Sequence, residues 1–461
     1  MAHQPHHRGG SEGQGAPLGA TETIAAPATP AGRGGIAIVR VSGARAREIA
    51  RQVLGRLPVP REATLSTFRD AAGVMIDRGV ALFFPAPNSY TGEDVLELHG
   101  HGGPVVVHEL LRRCVEAGAR LARPGEFTER AFLNGRLDLA QAESVADLID
   151  ASTVEAARSA ARSLEGEFSR RVVSVANGLL EIRMHVEACI DFPEEEIDPD
   201  DTSAIARKTG AVMRELDALI AAAAQGSVLR EGLTVVLFGR PNVGKSSLLN
   251  RLAGEELAIV TPIPGTTRDY VRATIALRGV PIHVVDTAGM REASDEIERI
   301  GVERSRAVLK SADAALLVQD AAHPDHPDDD LLGELRAGMP VLRVLNKIDL
   351  VGVAAGRDAG VPEAVRLSAR TGEGVGDLRD WLLQAAGWRP QGEGVFMARR
   401  RHLQALEAGR LHLAAATDPG ASLEVMAEEL RLAHRALGAI TGEVSADDLL
   451  GEIFSRFCIG K

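Results

Sequence analysis

The fold of the middle of this chain is decided by the stretch LTVVLFGRPNVGKSSLLN, residues 233–250. Its first six residues are apolar or β-branched, which predicts a buried parallel strand. Residues 239–246 then fit the pattern G-x-x-x-x-G-K-S, and an apolar helix start follows at once. Strand, glycine-rich loop and helix in this order bind phosphate through backbone N–H groups and the helix N-terminus. We therefore predict a phosphate-binding loop in which Lys245 reaches the β- and γ-phosphates and Ser246 holds Mg²⁺.

Three further motifs follow in the order that a guanine-nucleotide site requires. DTAG, residues 286–289, closes a second predicted strand, where its carboxylate can hold Mg²⁺ through water and its glycine can sense the γ-phosphate. NKID, residues 346–349, closes a third strand, and Asp349 can accept hydrogen bonds from guanine N1–H and N2–H₂, a donor pair that adenine lacks. SAR, residues 368–370, would support the base. Four motifs in order predict an α/β P-loop GTPase domain of Ras-like type over residues 230–385.

Length and charge limit the possible classes of protein. The chain has 461 residues, 45% of them hydrophobic, enough for about three domains of roughly 150 residues each. Its net charge of −12 would repel RNA and acidic membranes, so any nucleic-acid contact must rest on local basic patches. The sequence has no secretory segment and no apolar run of about 18 residues, which predicts no membrane span. Its three cysteines lack metal-ligand spacing and favour a reducing compartment, so we expect a cytoplasmic protein.

The N-terminal part of the chain is predicted to be a tail followed by an α+β domain. Residues 1–20 are rich in Gly, His and Ser and predict a disordered tail, in which the histidines at 3, 6 and 7 are more simply solvated than metal-bound. Residues 21–137 alternate strand and helix patterns. We predict strands at 35–41, 80–84 and 94–99, helices at 44–54 and 104–117 and from 125 onward, and a turn at 100–103. Arg40 and Glu97 lie on strands beside glycine-rich turns, and spacing alone leaves open whether they face solvent or a ligand.

The remaining segments are predicted to be helical. Within residues 138–229, apolar residues recur at helical spacing over 139–149, 168–190 and 205–224, and an acidic loop at 191–201 interrupts them. Within residues 386–461, the stretches 398–416, 423–437 and 446–457 are helical again in pattern. The simplest architecture is a discontinuous all-α domain formed by 138–229 with 386–461, into which the GTPase domain is inserted.

Two features of the GTPase motifs bear on hydrolysis. A Ras-like Gln that orients the attacking water would stand at Met290, which cannot do so, and no arginine is an obvious finger, although Arg240, Arg268 and Arg291 are candidates. Hydrolysis must therefore recruit another charge and another water-positioning group. The amide oxygen of Asn242 lies near where a monovalent cation could bridge the phosphates. The turn-rich segment 260–269 is the natural first switch, with Thr267 closing on Mg²⁺.

These motifs resemble those of the MnmE (also TrmE) family of tRNA-modification GTPases, and the resemblance extends over essentially the whole chain after the tail. It rests on two groups of motifs, of which the second lies outside the GTPase domain and makes the resemblance specific. The first group is GRPNVGKSSLLN (239–250), PGTTRD (264–269) and DTAGMR (286–291). The second is PGEFTERAFLN (124–134) and FCIGK (457–461).

The resemblance implies GTP hydrolysis stimulated by potassium. Asn242, Thr261, Ile263 and Thr266 match the positions around K⁺, Ser246 and Thr267 match the Mg²⁺ ligands, and Glu298 matches the residue that positions the hydrolytic water. The GTP-binding residues that we predict from motifs and resemblance together are Asn242, Val243, Gly244, Lys245, Ser246, Ser247, Thr261, Pro262, Ile263, Pro264, Gly265, Thr266, Thr267, Asp286, Thr287, Ala288, Gly289, Asn346, Lys347, Asp349, Ser368, Ala369 and Arg370.

The resemblance also implies a folate site and a partner protein. Arg40, Glu97 and Lys461 match contacts to a tetrahydrofolate one-carbon carrier, either 5,10-methylene- or 5-formyl-tetrahydrofolate. Arg136 stands where the family usually has Lys, and Arg keeps the charge but not the geometry. Family members act as homodimers with an FAD-containing MnmG-type partner, in a heterotetramer, and add a (carboxymethyl)aminomethyl group at C5 of the wobble uridine of certain tRNAs.

Two other functions remain possible on the sequence. A regulatory GTPase in ribosome assembly, without one-carbon chemistry, would carry the same nucleotide motifs. A stand-alone folate-dependent methyltransferase would leave the GTPase motifs unexplained. The folate-like first domain and the C-terminal FCIGK favour the modification enzyme.

Overall fold

The computed structural model describes two units of the chain, Met1–Ala142 with Ser445–Lys461, and Glu143–Val444. The residues described are 22–191, 199–254, 271–286, 312–323, 335–336, 338–357, 363–389, 395–418, 420–443, 447–455, 457–458 and 460. The predicted tail, residues 1–20, lies outside them.

The first unit is built on a six-stranded sheet with strand order β3-β4-β5-β2-β1-β6. Its strands are β1 (Ile24–Pro27), β2 (Gly34–Ser42), β3 (Thr64–Arg69), β4 (Met75–Phe84), β5 (Val95–Gly102) and β6 (Arg120–Leu121). Its helices are α1 (Ala46–Leu54), α2 (Pro104–Glu116) and α3 (Glu126–Leu133).

Alternation along β2 and β5 gives the sheet one fully apolar face. Val39 pairs with Leu98 and Val41 with Leu96 in the antiparallel register, and all four are buried in one core with residues of α1 and α2. The residues between them point to the opposite face, because successive strand side chains alternate. This register places Arg40 directly opposite Glu97.

The strand and helix predictions for this unit are largely confirmed, with one correction and three omissions. Residues 100–103 were predicted to be a turn, but β5 continues through Gly102, which pairs with Gly34 of β2. The two backbones approach so closely that a Cβ at Gly102 would lie 2.5 Å from the carbonyl oxygen of Gly34, which explains the glycines there. The short strands β1, β3 and β6 were not predicted.

The C-terminal segment belongs to the first unit. Helix α13 (Asp447–Ser455) places Phe454 with its ring centroid 6.5 Å from that of Phe132 on α3 and 5.5 Å from that of Phe457. The backbone N–H of Gly125 donates to the carbonyl of Cys458, 3.4 Å away. The FCIGK and PGEFT motifs are therefore neighbours in space.

The second unit contains long helices on both sides of the GTPase motifs in sequence. Before them lie α4 (Leu139–Asp150), α5 (Val154–Leu164), α6 (Glu167–Asp191) and α7 (Pro199–Glu231), and after them α11 (Arg400–Ala416) and α12 (Leu423–Thr441). Helix α12 packs on α6 and α11, and α11 packs on α7, so helices from both segments form one bundle.

A seven-stranded sheet is inserted between these helical segments, with strand order β12-β13-β11-β10-β7-β9-β8. Its strands are β7 (Leu233–Phe238), β8 (Val271–Leu277), β9 (Val280–Asp286), β10 (Ala314–Asp320), β11 (Val341–Asn346), β12 (Gly356–Arg357) and β13 (Ala364–Arg366). The helices described with it are α8 (Lys245–Ala253), α9 (Ile348–Val351) and α10 (Val375–Ala385). The inner strands of this sheet are parallel. Among its described strands, only β8 and β12 pair antiparallel with their neighbours.

The predicted fold class, an α+β domain, a discontinuous helical domain and an inserted P-loop α/β domain, is confirmed. Helix α5 was not predicted. The acidic loop was predicted to end at residue 201, but α7 begins at Pro199, since proline is well suited to the first turn of a helix. Residues 192–198 lie outside the described residues. The three domain boundaries stay a prediction.

Candidate functional site

The phosphate-binding loop leaves the carboxyl end of β7, at the centre of the second sheet. Strand β7 lies between β9 and β10 and runs parallel to both, so the chain order reverses at this point. Ligands of open α/β sheets bind outside the carboxyl ends of the strands at such a reversal. Asp286, the last residue of β9, pairs with Leu237, which places its backbone at the same edge; its side chain lies outside the described residues.

Three residues with positive φ shape this loop. Gly239 has φ 141°, Asn242 has φ 65° and Gly244 has φ 98°. A Cβ at Gly239 would lie 2.3 Å from the carbonyl oxygen of Val318, and one at Gly244 would lie 2.3 Å from Nδ2 of Asn346. Glycine is therefore required at both ends of the loop, because the backbone turns sharply and passes close to β10 and β11.

Lys245 opens helix α8 and turns back over the loop. Its buried ammonium donates to the carbonyl oxygens of Gly239, 2.6 Å away, and of Arg240, 3.0 Å away. These bonds hold the cationic head inside the ring of backbone that a phosphate group would face. These contacts of Lys245 are consistent with the prediction that it reaches the phosphates.

The NKID and SAR motifs are joined to the phosphate loop by Asn346. Its amide Nδ2 donates to the carbonyl of Val243, 2.9 Å away, and its Oδ1 accepts from the N–H of Ala369, also 2.9 Å away. The side chain is buried at the carboxyl end of β11. The structure thus brings together the loop at 239–246, the NKID motif and the SAR motif, as the sequence predicted.

Asp349 is oriented by Ser368. The Ser368 hydroxyl donates to Oδ1 of Asp349 across 2.7 Å, and its oxygen accepts from the N–H of Thr371. The second carboxylate oxygen lies 4.0 Å from the guanidinium of Arg370, whose side chain is 83% exposed. One oxygen is therefore fixed by the protein, and the carboxylate can still accept bonds from a ligand.

Lys347 has a partner that the sequence analysis missed. Its ammonium donates to Asp320 Oδ2 across 2.7 Å, while Asp320 Oδ1 accepts from the N–H of Ala322. The bond from Lys347, with a smaller effect from the Ala322 N–H, lowers the pKa of Asp320 below its ordinary value, although burial acts in the opposite direction. The one indication of this partner is that Asp320 ends β10, the strand beside the one that NKID closes.

Several predicted site residues lie outside the described residues. They are Thr261, Pro262, Ile263, Pro264, Gly265, Thr266, Thr267, Thr287, Ala288, Gly289, Glu298 and Lys461. Met290, Arg268 and Arg291 lie outside them as well.

A second polar site lies on the first sheet, where Arg40 and Glu97 face each other across β2 and β5. Arg40 Nε donates to Glu97 Oε1 across 2.9 Å, and both side chains are largely but not fully buried. The other oxygen of Glu97 lies 3.2 Å from His99 Nε2. The two residues that the sequence brought forward therefore form one pair, with His99 as a neighbour that was not predicted.

The Arg40 guanidinium lies over two aromatic rings. Its Cζ lies 5.4 Å from the ring centroid of Tyr90 and 5.6 Å from that of Phe127. The Tyr90 hydroxyl is hydrogen-bonded to Thr128 Oγ1 at 2.8 Å. Burial raises the pKa of Tyr90, against the effects of Thr128 and of the Arg40 charge, so the phenol stays neutral. The GEFT motif, residues 125–128, thus contributes Phe127 and Thr128 to this site. In the sequence, only the presence of this motif outside the GTPase domain could have suggested that role.

Arg136 lies beside Gly92. A Cβ at Gly92 would lie 3.4 Å from Cγ of Arg136, and the Arg136 N–H donates to the carbonyl of Ala131. No hydrogen bond or ion pair joins Arg136 to Arg40 or Glu97 within the described part of the chain.

An apolar cavity of about 730 Å³ lies elsewhere in the first unit. The connection between β1 and β2 and one side of α2 line it, and Arg40 and Glu97 do not. Three large apolar side chains near it are strongly exposed, Ile36 at 69%, Val105 at 75% and Leu121 at 59%.

Two searches of the described residues gave negative results. None of the helices described is long and apolar enough to cross a membrane. Among the same residues, no group of three or more His, Cys, Asp and Glu side chains is placed to hold a metal ion.

Comparisons with known proteins find the same family for both units. The profile of the MnmE helical domain matches residues 139–458, and that of the GTP-binding protein TrmE N-terminus matches residues 23–136. The tRNA modification GTPase MnmE of Azoarcus sp. (strain BH72) is 58% identical over 95% of this chain and 98% of its own. The protein of the same name from Ralstonia nicotianae (strain ATCC BAA-1114 / GMI1000) is 56% identical over 96% of this chain and 97% of its own.

Among solved structures, the G domain of the FeoB iron transporter of T. maritima is 28% identical and covers 33% of this chain and 98% of its own, with a TM-score of 0.25. That score is too low to support a conclusion about either fold or function.

Proposed function

The chain belongs to the MnmE family of tRNA modification GTPases, and from this premise we propose that it hydrolyses GTP in the course of tRNA modification. The observation that carries the proposal is the Asn346 side chain, which bonds to the phosphate loop on one side and to the SAR loop on the other. A nucleotide bound at this edge of the sheet would have its phosphates at the loop and its base at Asp349. The Asp349 carboxylate would select guanine.

Magnesium would be held by Ser246 and Thr267, with Asp286 acting through water. These groups supply only oxygen ligands, the kind that Mg²⁺ prefers. The described part of this set fits, since Ser246 follows Lys245 in the first turn of α8, at the mouth of the phosphate loop. Bound Mg²⁺ would supply positive charge that offsets the negative charge of the phosphates.

Potassium would replace the arginine finger, and Glu298 the missing glutamine. The proposal is supported by Met290 at the position of that glutamine and by Asn242, whose left-handed backbone places it inside the phosphate loop. Asn242 would hold K⁺ with Thr261, Ile263 and Thr266.

The test of this proposal is GTP hydrolysis in K⁺ and in Na⁺ at matched ionic strength. We expect much faster turnover in K⁺, because the proposed ligand set would have to fit the larger ion. Glu298→Ala should lose hydrolysis and keep GTP affinity, since its carboxylate would act on water and not on the nucleotide. Equal rates in the two salts would contradict the cation assignment, and absence of GTP hydrolysis in both would contradict the GTPase function.

The modification itself would use a tetrahydrofolate one-carbon unit at the Arg40–Glu97 pair. A largely buried guanidinium that lies over two rings, beside a carboxylate, suits the carboxylates and the pterin N–H groups of folate. Arg136 and Lys461 would add contacts. With an FAD-containing MnmG-type partner, the protein would add a (carboxymethyl)aminomethyl group to C5 of the wobble uridine.

The rival function, a GTPase switch in ribosome assembly, predicts no folate site. Titration with 5-formyl-tetrahydrofolate separates the two functions: we expect saturable binding by the parent chain and loss of binding in Arg40→Ala. Absence of binding by the parent would favour the rival.

A homodimer is the proposed assembly state. The exposed apolar side chains Ile36, Val105 and Leu121 form a surface of the first unit that a second copy could cover. Sedimentation of the parent and of Val105→Glu checks this, since a charge there should shift the protein toward the monomer.

A further inference from the structure

Arg251 links the phosphate-binding helix to the loop that supports the base. It lies in the last turn of α8, the helix that Lys245 opens. Its Nε donates to the carbonyl of Ala369 across 3.0 Å, and its Nη2 donates to the carbonyl of Arg370. One guanidinium therefore binds two successive carbonyls of the SAR loop.

Both backbone polar groups of Ala369 are bound by side chains from elsewhere in the domain. Its N–H donates to Asn346 Oδ1, and its carbonyl accepts from Arg251. Ala369 is itself buried. The preceding residue, Ser368, carries the hydroxyl that orients Asp349, so the position of this peptide sets the direction of the base-reading carboxylate.

The two bonds need a guanidinium. Its fork offers Nε–H and Nη–H donors side by side, which match two neighbouring carbonyls, whereas an ammonium is a single point donor. The loop also leaves room for this group. Gly372 has φ 89°, and a Cβ there would lie 3.8 Å from the Arg251 guanidinium, at ordinary contact distance.

We propose that Arg251 is a positioning residue for guanine recognition: it holds residues 368–370 in place, so that Ser368 aims Asp349 at the base. This rests on the proposed function, because it needs a guanine nucleotide at the site. Its bonds go to the backbone carbonyls of Ala369 and Arg370, so its effect should appear in base selection and not in the rate of hydrolysis.

The experiment compares the affinities of the full chain for GTP and for inosine triphosphate, which keeps N1–H but lacks the 2-amino group, one of the two donors that Asp349 would read. Arg251→Ala should weaken GTP binding about tenfold, the effect of losing the orientation of one charged hydrogen bond. Binding of inosine triphosphate should weaken much less, so the preference of the protein for GTP should fall. The kcat at saturating GTP should stay near that of the parent. A merely structural defect would weaken both nucleotides equally.

Arg251→Lys is the second variant, because it keeps the charge and the aliphatic stem and removes only the fork. We expect it to lose the preference as Arg251→Ala does. Arg357→Ala, an exposed arginine on the edge strand β12, is the matched control and should behave as the parent.

The outcomes separate this inference from the function on which it rests. A parent that binds GTP selectively, with variants that keep both affinity and preference, overturns the role of Arg251 alone. Restoration of the preference by Lys shows that charge suffices and also overturns it. A parent that does not bind GTP overturns both proposals.

Discussion

Asp349 accepts a hydrogen bond from the hydroxyl of Ser368, and we propose that its carboxylate sets the choice of nucleotide. Asp349→Asn should weaken GTP binding by about 100-fold, because two hydrogen bonds from guanine to a charged acceptor are lost. The same variant should bind xanthosine triphosphate more tightly than the parent does, since the new amide can donate to the 2-oxo group of xanthine.

Competition between labelled GTP and each unlabelled nucleotide measures this exchange of preference. Asp313→Asn is a suitable control. The Asp313 carboxylate accepts a hydrogen bond from the N–H of Thr234, and residue 313 comes just before β10, whereas NKID follows β10 in the sequence. If Asp349→Asn binds GTP as well as the parent, the assignment of the base-reading residue is wrong.

Glu126 gives the first unit a pH-dependent stability. Its burial would raise the pKa, but hydrogen bonds from Arg120, from the N–H of Arg123 and from Arg130 lower it from 4.5 to about 2. A lowered carboxyl pKa stabilises the fold fully above about pH 4.5, and this contribution is lost as the pH falls toward about 2.

The free energy of unfolding of the parent and of Glu126→Gln, measured with urea between pH 7 and pH 2.5, checks this. The parent should be the more stable at pH 7, and the difference should shrink below about pH 4.5, because Glu126 of the unfolded chain takes up a proton there while the folded protein does not. Glu48→Gln is the control, because its pair with Arg45 is exposed and worth little. A difference that stays constant over this pH range would contradict the prediction.

At the residue scale, the sequence could predict chemistry but not neighbours. Spacing and resemblance brought forward Arg40, Glu97, Lys245 and Asp349, because their roles depend on residue type within a short motif. His99, Tyr90 and Arg251 were not predicted as members of either site. The contacts of Tyr90 and Arg251 cross from one element to another, so no local pattern reveals them. His99 lies two residues from Glu97 on the same strand, where alternation puts both side chains on one face.

Helix α5 is the element that connects the bundle to the nucleotide sheet in the second unit. Its N-cap, Thr153, accepts from the N–H of Ala156 and donates to the carbonyl of Gly279 in the turn between β8 and β9. Further along, the hydroxyls of Ser159 and Ser163 donate to the carbonyls of Val395 and Met397, both 3.1 Å away. The helix thus binds both the hairpin that precedes DTAG and the segment by which the chain leaves the sheet.

Thr153→Val should destabilise the protein by about 2 kcal/mol, since it removes the cap and the buried bond to Gly279. Ser422→Ala is the matched control, because Ser422 caps α12 at an exposed position and should cost about 1 kcal/mol or less. Urea unfolding of both variants measures the difference. Equal losses would mean that the contact with the hairpin turn contributes nothing.

At the element scale, the sequence missed α5 for a physical reason. The buried face of this helix consists of Ala156, Ser159, Ala160 and Ser163, so it lacks the large apolar residues whose period reveals a helix. Its packing is close because these side chains are small, and the hydroxyls are satisfied by backbone carbonyls of another segment. Helices α6 and α12, with larger apolar residues, were predicted nearly to their ends.

In the second unit, both connections of the inserted sheet are tied to one carboxylate. Asp147 of α4 accepts from Arg230, in the last turn of α7 before β7, across 2.9 Å, and from Arg399, just before α11, across 2.8 Å. One turn earlier on α4, the buried Glu143 accepts from Arg401 and His402. Burial acts to raise the pKa of Glu143, but these neighbours lower it, so it remains charged.

At the scale of the whole molecule, the sequence predicted an inserted domain whose two ends lie close together. The bonds from Arg230 and Arg399 to Asp147 hold two such ends together. It did not predict that the last helix would pack with the first unit. That placement depends on ring contacts between Phe132 and Phe454, residues far apart in the chain, which no local pattern reveals. Fold class could therefore be predicted from local patterns and resemblance, whereas the assignment of segments to units could not.

The central claim, a GTPase that modifies wobble uridine, is tested most directly by mass spectrometry of tRNA nucleosides. Cells lacking this protein would be complemented with the parent, Lys245→Ala, Arg40→Ala or the control Arg357→Ala. We predict (carboxymethyl)aminomethyl uridine with the parent and the control, and its loss in the uncomplemented cells and in both site variants. Unchanged wobble uridine modification in cells without the protein would contradict the account.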